Sequence, residues 1–517
     1  MNTKRHLARI GAAALIVVTS IALTACSGGG ASSSTTPTTL TIAAPNGPLS
    51  LDPALNGNGT PLIWYTLLAY EPLIKRAPDG TAKPGLATDW KYSDDRLSFV
   101  INLRKNVKFS DGSDLTAQAV IDWLTYYKAH TTFQWMQNVS SMDATGDLQV
   151  TLHLSTPDPL LPIGFDQEGE AGDIVSPAGL KDPSVLGKET HGAGPYMLDA
   201  NATIANSQYV YVPNPNYWNK KAVQYKKVII KVIADENSTL AALRSGQVDA
   251  AAISPNNVAS AKSAGLNVNA AKAAMVGVYF FTLGDSTSPL SNVKVRQALN
   301  MAIDRKGITK TLFLTNGEPT TQYVPKGIPG YVAGLENQYP FDVAKAKQLL
   351  TDAGYPDGFS FKMVVQPGAS SQNLLSQAVI QSWAKIGVKV ELTAPAAFPD
   401  YVTALSSGNY AATSFNFYYS TQLTDLQQLF TKPALYNFFG FDLPKANALA
   451  TEQRKYDVDS PEGKTAAEAS ETYMVEQALA VPVSSTDTVM ASTKKVTGVD
   501  FTSAFPIPDL TIFKPAN

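Results

Sequence analysis

Apolar and polar positions in this chain follow two periods. At the helical period, Val295, Ala298, Leu299, Ala302 and Ile303 keep the i, i+3, i+4, i+7, i+8 spacing behind Asn292, a residue suited to cap a helix start. The other face carries Lys294, Arg296 and Arg305 and reads as the wet side of a core helix. Asp342 predicts a second start, with Ala346, Leu349, Leu350 and Ala353 on one stripe and Gly354 as the stop. A third helix opens at Thr116 and runs through Val120, Trp123, Leu124 and Tyr127. At period two, Leu148, Val150, Leu152 and Leu154 alternate with polar residues, as in a half-buried antiparallel strand. Residues 228–233 (VIIKVI) are almost continuously apolar, which predicts a strand buried on both faces. Phe361 to Val365, a helix through Leu375, Val379, Trp383 and Ile386, and then Val388 to Leu392 read as a β-α-β crossover. The class these patterns predict is α/β, built around more than one sheet.

The long apolar run nearest the N-terminus is different. Lys4, Arg5 and Arg9 precede an apolar segment from Ile10 to Leu23, interrupted by Thr19 and Ser20, and it closes in Leu23-Thr24-Ala25-Cys26. A basic start, an apolar stretch short for a bilayer span and small residues at the end make a secretory signal. The tetrad resembles the lipobox of bacterial lipoproteins, in which the cysteine thiol takes a diacylglycerol and the signal is cut just before it. Cys26 is the single cysteine of the sequence, so it has no intramolecular disulfide partner, and a lipid acceptor explains it. Stable anchoring takes two chains, and each buried CH₂ contributes about 0.8 kcal/mol. Residues 1–25 are thus expected to be a signal peptide and 26–39, whose Ser27–Thr39 stretch is rich in Gly, Ser and Thr and holds no large apolar side chain, a flexible tether. The expected location is the cell membrane, lipid-anchored on the extracytoplasmic face.

Length and charge narrow the rest. A chain of 517 residues with 44% hydrophobic and 16% charged residues predicts two or more lobes. The net charge of −2 argues against a nucleic-acid partner. No Walker A, G-x-G-x-x-G or G-x-S-x-G motif occurs. Beyond the signal the histidines are His130, His153 and His191, far apart, so a zinc site built on His/Cys spacing is not expected. No catalytic residue, metal ligand or cofactor is assigned. A metal carried in as a chelate stays open.

Several segments then resemble the extracellular solute-binding protein family 5, the oligopeptide-, dipeptide- and nickel-binding proteins of ABC importers. They are LDPAL from Leu51, YEPLIKRAPDGTAKPGLATDW from Tyr70, SFVINLRKNVKFSDGSDLTAQAVIDW from Ser98, GAGPY from Gly192, PNPNYW from Pro213, LAALRSGQVDA from Leu240, VRQALNMAIDR from Val295 and AKAKQLLTDAGYPDG from Ala344. Most of them read physically as fold motifs: a turn at Asp111-Gly112, a tight approach at GAGPY, and packing by Trp64, Trp90 and Trp218. The resemblance implies a periplasmic-binding-protein-like two-lobe clamp with an extra inserted domain. Domain I would take 40–75, 191–279 and 484–517; domain II, an insertion, 76–190; domain III, 280–483. Two crossing segments would act as the hinge. The implied partners are a peptide or other small solute, a membrane permease and its separate ATPase subunits, with the membrane reached through the lipid alone and the protein a monomer.

In peptide binders of this family a tryptophan stands ahead of a Gly-Trp-x-x-Asp stretch whose aspartate pairs with the peptide α-amino group. Here the corresponding region runs from Phe398 to Phe430. Counting through Gly408 puts Phe398 and Phe417 at the tryptophan positions and Ser420 at the aspartate; counting back from Asp425 puts Gln422 there. Neither is acidic, and Asp425 substitutes only if the loop is re-registered. Phe417, Tyr418 and Tyr419 are expected to face the cleft, with Asn46, Trp135 and Tyr126 as lesser candidates. The implied function is peptide capture for an ABC importer. A non-peptide solute (oligosaccharide, opine-like compound or metal chelate) is the alternative, and an extracytoplasmic hydrolase or sensory surface protein the alternative of another class.

Overall fold

The computed structural model describes residues 38–56, 61–131, 135–366, 371–396, 398–418, 422–432, 437, 439–502 and 505–516; Cys26 and the rest of the N-terminal stretch lie outside them. In chain order the strands that organise these residues are β1 (Thr39–Ala44), β2 (Ala87–Tyr92), β3 (Ser98–Leu103), β4 (Val139–Gly146), β5 (Gln149–Leu154), β6 (Tyr196–Leu198), β7 (Gln208–Pro213), β8 (Lys227–Val232), β9 (Ala250–Ala252), β10 (Asn267–Phe280), β11 (Gly317–Pro319), β12 (Ser360–Val364), β13 (Lys389–Thr393), β14 (Ala412–Tyr418) and β15 (Ala480–Ser492). Among the described residues the largest sheet runs β13-β12-β14-β10-β15-β9-β1-β8-β7-β6, with β11 paired to β15, and β2-β3-β5-β4 form a separate four-stranded sheet. The long antiparallel strands β10 and β15 lie at the middle of the large sheet. They tie a lobe built on β9, β1 and β8 to a second lobe built on β14, β12 and β13.

The local signals in the sequence explain most helices. Helix α1 (Ala117–His130) starts where the Thr116 side chain accepts from the Ala119 N–H, and it buries Val120, Trp123, Leu124 and Tyr127 completely. Burying side chains of this size contributes about 1.5–3 kcal/mol each. Four more helices matter here: α2 (Glu236–Ser245), α3 (Val293–Met301), α4 (Arg305–Phe313) and α5 (Val343–Asp352). Asn292 caps α3, and Asp342 caps α5, which stops before Gly354 at φ +92°. The expected crossover is present as β12, then α6 (Ser371–Ala384), then β13, with β12 and β13 parallel. Helices α7 (Phe398–Leu405) and α8 (Gln422–Leu429) flank β14.

Two expectations are corrected. Residues 228–233 are not buried on both faces: in β8 only Val228 and Ile230 are fully buried, while Ile229, Lys231 and Val232 on the strand are half-buried. The face expected to be wet is exposed at Lys294 but covered at Arg296, and Arg305 falls in α4, where it is covered as well. Arg296 and Arg305 are 5% and 7% exposed. The Arg296 guanidinium donates to the carbonyls of Leu290, Ser291, Gln477 and Ala478. Arg305 donates to the carbonyls of Asn300, Thr320 and Pro482 and to the Asn300 side chain. Each fork thus satisfies backbone acceptors at a chain crossing instead of facing water.

The GAGPY stretch is a close approach. A Cβ on Gly192 would stand 2.3 Å from the Ala69 carbonyl oxygen, and one on Gly194 2.5 Å from the Ala69 carbonyl carbon. Only glycine lets these two backbone segments meet.

Candidate functional site

Strand β1 runs parallel to β8 on one side and to β9 on the other, with Ile42 in register with Ile230 and Ala250. Their carboxyl ends open at one edge, which is where open α/β sheets hold ligands. A cavity of about 270 Å³ lies there. Ala43, Ala44 and Pro45 leave β1 along its wall, Ile233 and Ala234 follow β8, and Ile253 to Pro255 follow β9. The floor belongs to the crossing strands, with Ala274 and Val276 of β10 and residues 486–489 of β15. Phe313 of α4 and Asn416 of β14 reach in from the second lobe. Both lobes and both crossing strands therefore share one space.

The titratable residues of this lining are Glu236 and Asp487, and no lysine or arginine lines it among the described residues. Glu236 stands in the first turn of α2, where the helix dipole favours a negative charge, and Asp235 caps that helix by accepting from the Ser238 N–H at 2.7 Å. Burial pushes the Glu236 carboxyl up. Asp487 is the register partner of Lys272. Pairing then slips, with Ala274 opposite Thr486, a bulge of the kind that re-aims side chains. Lys272 Nζ lies 2.9 Å from Asp487 Oδ1 and 3.6 Å from Glu318 Oε1 on β11.

A second titratable group lies away from this cavity. Asp166, Glu170 and Asp173 are all at least nine-tenths buried, and Arg76 Nη2 is 2.5 Å from Asp166 Oδ2. Glu170 accepts from Thr66 Oγ1 at 2.7 Å and from Asn56 Nδ2 at 3.1 Å. Neither carboxyl oxygen of Asp173 has a hydrogen-bond donor among the described residues. Among those residues no group of three or more His, Cys, Asp or Glu is arranged to hold a metal ion, and no helix is long and apolar enough to cross a membrane.

The residues singled out from the sequence are scattered relative to the cavity. Asn46 follows the lining residue Pro45; it is exposed, its amide donates to the Gly47 carbonyl, and its own carbonyl accepts from Tyr65. Trp135 is 5% exposed and packs over Gly164, away from the cavity lining. Tyr126 donates to Asp52 at 2.7 Å. The backbones of Phe417 and Tyr418 belong to β14, opposite Met275 and Ala274, and those of Phe398, Gln422 and Asp425 to α7 and α8. Their side chains lie outside what is described, as do Tyr419 and Ser420 entirely. Asn416, Glu236 and Asp487 escaped sequence reasoning. The usable signal was the topological one, that parallel strands open toward ligand at their carboxyl ends.

Comparison with known proteins adds to this geometry. Heme-binding protein A of Haemophilus influenzae is 29% identical over 385 residues, spanning 68% of this chain and 69% of that protein. The glutathione-binding protein GsiB of Salmonella choleraesuis is 29% identical over 331 residues, 63% of either chain. The dipeptide binding protein of Pseudoalteromonas sp. SM9913, in complex with Met-Leu, superposes with a TM-score of 0.80 at 22% identity, over 92% of this chain and 100% of that one. That likeness fixes the fold as the periplasmic-binding type, two lobes plus an extra domain. The sequence profile of the bacterial extracellular solute-binding proteins, family 5 (middle region), matches residues 81–437. With well over half its length inside that profile, and with a cavity shared by two lobes across a pair of crossing strands, this chain belongs to the bacterial extracellular solute-binding proteins, family 5.

Proposed function

We propose that the protein is the substrate-binding component of an ABC importer, that it captures short peptides between its lobes, and that it hands them unchanged to a membrane permease driven by separate ATPase subunits. The observation that carries this reading is the cavity at the carboxyl ends of β1, β8 and β9, closed on its other sides by β10, β15 and the second lobe. Its volume of about 270 Å³ is room for a small solute on the scale of a short peptide. A glutathione-binding relative and a dipeptide-bound structural neighbour support the peptide class. The segment from α7 to α8 supplies the far wall in this reading. Phe398, Phe417, Tyr418 and Tyr419 form its aromatic surface, with Ser420, Gln422 and Asp425 at its polar edge. Asn416, on the same strand as Phe417, supports that placement. Cys26 carries the lipid that holds the monomer at the outer face of the membrane.

Mass spectrometry of what co-purifies with the protein, followed by titration calorimetry with di- and tripeptides, tests this. Bound short peptides that emerge intact are the expected result. Hydrolysis of a bound peptide by the pure protein, or no peptide binding at all, overturns it. The reading of a non-peptide solute such as a metal chelate draws on the heme-binding relative and on the non-acidic residues at 420 and 422.

A further inference from the structure

We propose that the cleft recognises a cationic group, the free α-ammonium of its peptide, and that the counter-charge is Asp487 on the crossing strand β15, with Glu236 at the mouth adding to the same sign. This rests on the peptide-capture reading above. The described cavity lining carries two carboxyl groups and no basic side chain. Lys272 does not cancel Asp487, because it is shared: Asp487 and Glu318 flank one ammonium at 2.9 and 3.6 Å, so the trio keeps one negative charge. The carboxylate of Asp487 is mostly shielded, its side chain 13% exposed against 67% for Glu318, and charges count for more where water is excluded.

Hydrogen bonding points the same way. Two buried acceptors on the lining, Asp487 Oδ1 and Asn416 Oδ1, have no hydrogen-bond donor among the described residues; Lys272 approaches Asp487 closely but out of hydrogen-bond alignment. One belongs to a crossing strand and the other to the second lobe. A buried acceptor without a donor is costly, and a group with three N–H donors and no acceptor is the complement of such a wall. The acid is thus drawn from the crossing strand and not from the loop around Ser420 and Gln422, where the sequence has none.

The test is titration calorimetry of the wild-type protein with a set of di- and tripeptides and with the same set N-acetylated, repeated on Asp487→Asn and Glu236→Gln. Expected is binding of the free-amine set at least about tenfold tighter than the acetylated set, with most of that preference lost in Asp487→Asn and a smaller part in Glu236→Gln. Equal binding of free and acetylated peptides by the wild-type protein overturns the inference and leaves peptide capture standing. Full discrimination retained by a folded Asp487→Asn also overturns it. Failure of both peptide sets to bind overturns the capture reading itself. The acetylation contrast needs no variant, so it decides even if Asp487→Asn does not fold.

Discussion

Lys272 and Asp487 face each other across the two strands that join the lobes, with Nζ 2.9 Å from Oδ1, at the residue pair where the register of those strands slips. The pair is a structural cross-link between the crossing strands and also a charged part of the cavity floor. Its two roles pull against each other. A lysine that fully neutralised the acid would leave the cleft indifferent to ligand charge, and one that is shared with Glu318 does not.

Lys272→Met separates these roles. Removing the ammonium leaves Asp487 and Glu318 uncompensated, so the cleft becomes more negative. Free-amine peptides are then expected to gain several-fold in affinity over their acetylated forms. The fold pays with a loss of about 1 kcal/mol, the scale of a partly exposed pair. Calorimetry reads the first effect and urea unfolding the second. Unchanged discrimination in a folded variant would contradict it.

Arg305 offers a stability test away from the cleft. Its fork donates to backbone carbonyls of three separate segments, at 2.8 Å for both Asn300 and Pro482 and 3.1 Å for Thr320. Arg305→Met strands those acceptors, and each buried unsatisfied group costs about 1–3 kcal/mol. The expected loss is several kcal/mol in urea, with Arg305→Lys recovering little because an ammonium cannot reproduce the planar fork. A lysine variant as stable as wild type would refute this account.

Arg305 also shows where the sequence stops being legible. The caps at Thr116, Asn292 and Asp342 are read from residues within three positions of one another, and the structure has each in place. The apolar stripe of α3 is equally local. What covers its other face at Arg296 arrives from Gln477 and Ala478, as Pro482 reaches Arg305 of α4, all nearly two hundred positions away, and no periodicity reports it. The cleft is harder still. Its lining is mostly alanine, proline, serine and threonine at strand ends, residues with no chemical signature, and Glu236 and Asp487 look in sequence like any solvated acid.

The glycines of the GAGPY stretch divide cleanly from others. Gly194→Ala drives a Cβ into the Ala69 backbone, which cannot swing aside, so a loss of about 1–3 kcal/mol or more is expected. Gly265→Ala meets no atom within 4 Å and is strained only by its φ of +76°, so its cost stays near 1 kcal/mol. Thermal unfolding of the two variants side by side gives the order. Equal midpoints would show that Gly194 is not held by contact.

Cys26 is tested in cells. With the cysteine intact the mature protein is expected in the detergent phase after phase partition of membranes, and Cys26→Ala either keeps its uncut apolar signal or, once cut elsewhere, moves to the aqueous phase. Mass spectrometry of the mature N-terminus gives the lipid directly. An unmodified cysteine in membrane-derived protein would remove the anchor from the account.

The buried carboxyls set a pH dependence whose sign is fixed by burial. Glu170 is pushed up to about 8 by desolvation, against hydrogen bonds from Thr66 and Asn56 that pull it down, and Glu471 is pushed up to about 8 the same way. Asp173 is raised well above the usual carboxylate range by desolvation and then by Glu170 and Asp166. The unfolded chain releases these protons near pH 4, while the folded chain keeps them, so the native state binds more protons in between. Their contribution to stability is therefore complete below the ordinary carboxylate range and is lost as pH rises toward 8. The thermal midpoint is expected to be higher at about pH 6 than at about pH 8.5, and the fall between them should be shallower in Glu170→Gln, which keeps an acceptor for Thr66 and Asn56 without a proton to lose. A midpoint that climbs over that interval, or a slope that Glu170→Gln leaves untouched, would mean that these carboxyls ionise inside the fold, and that Asp173 has found a donor there.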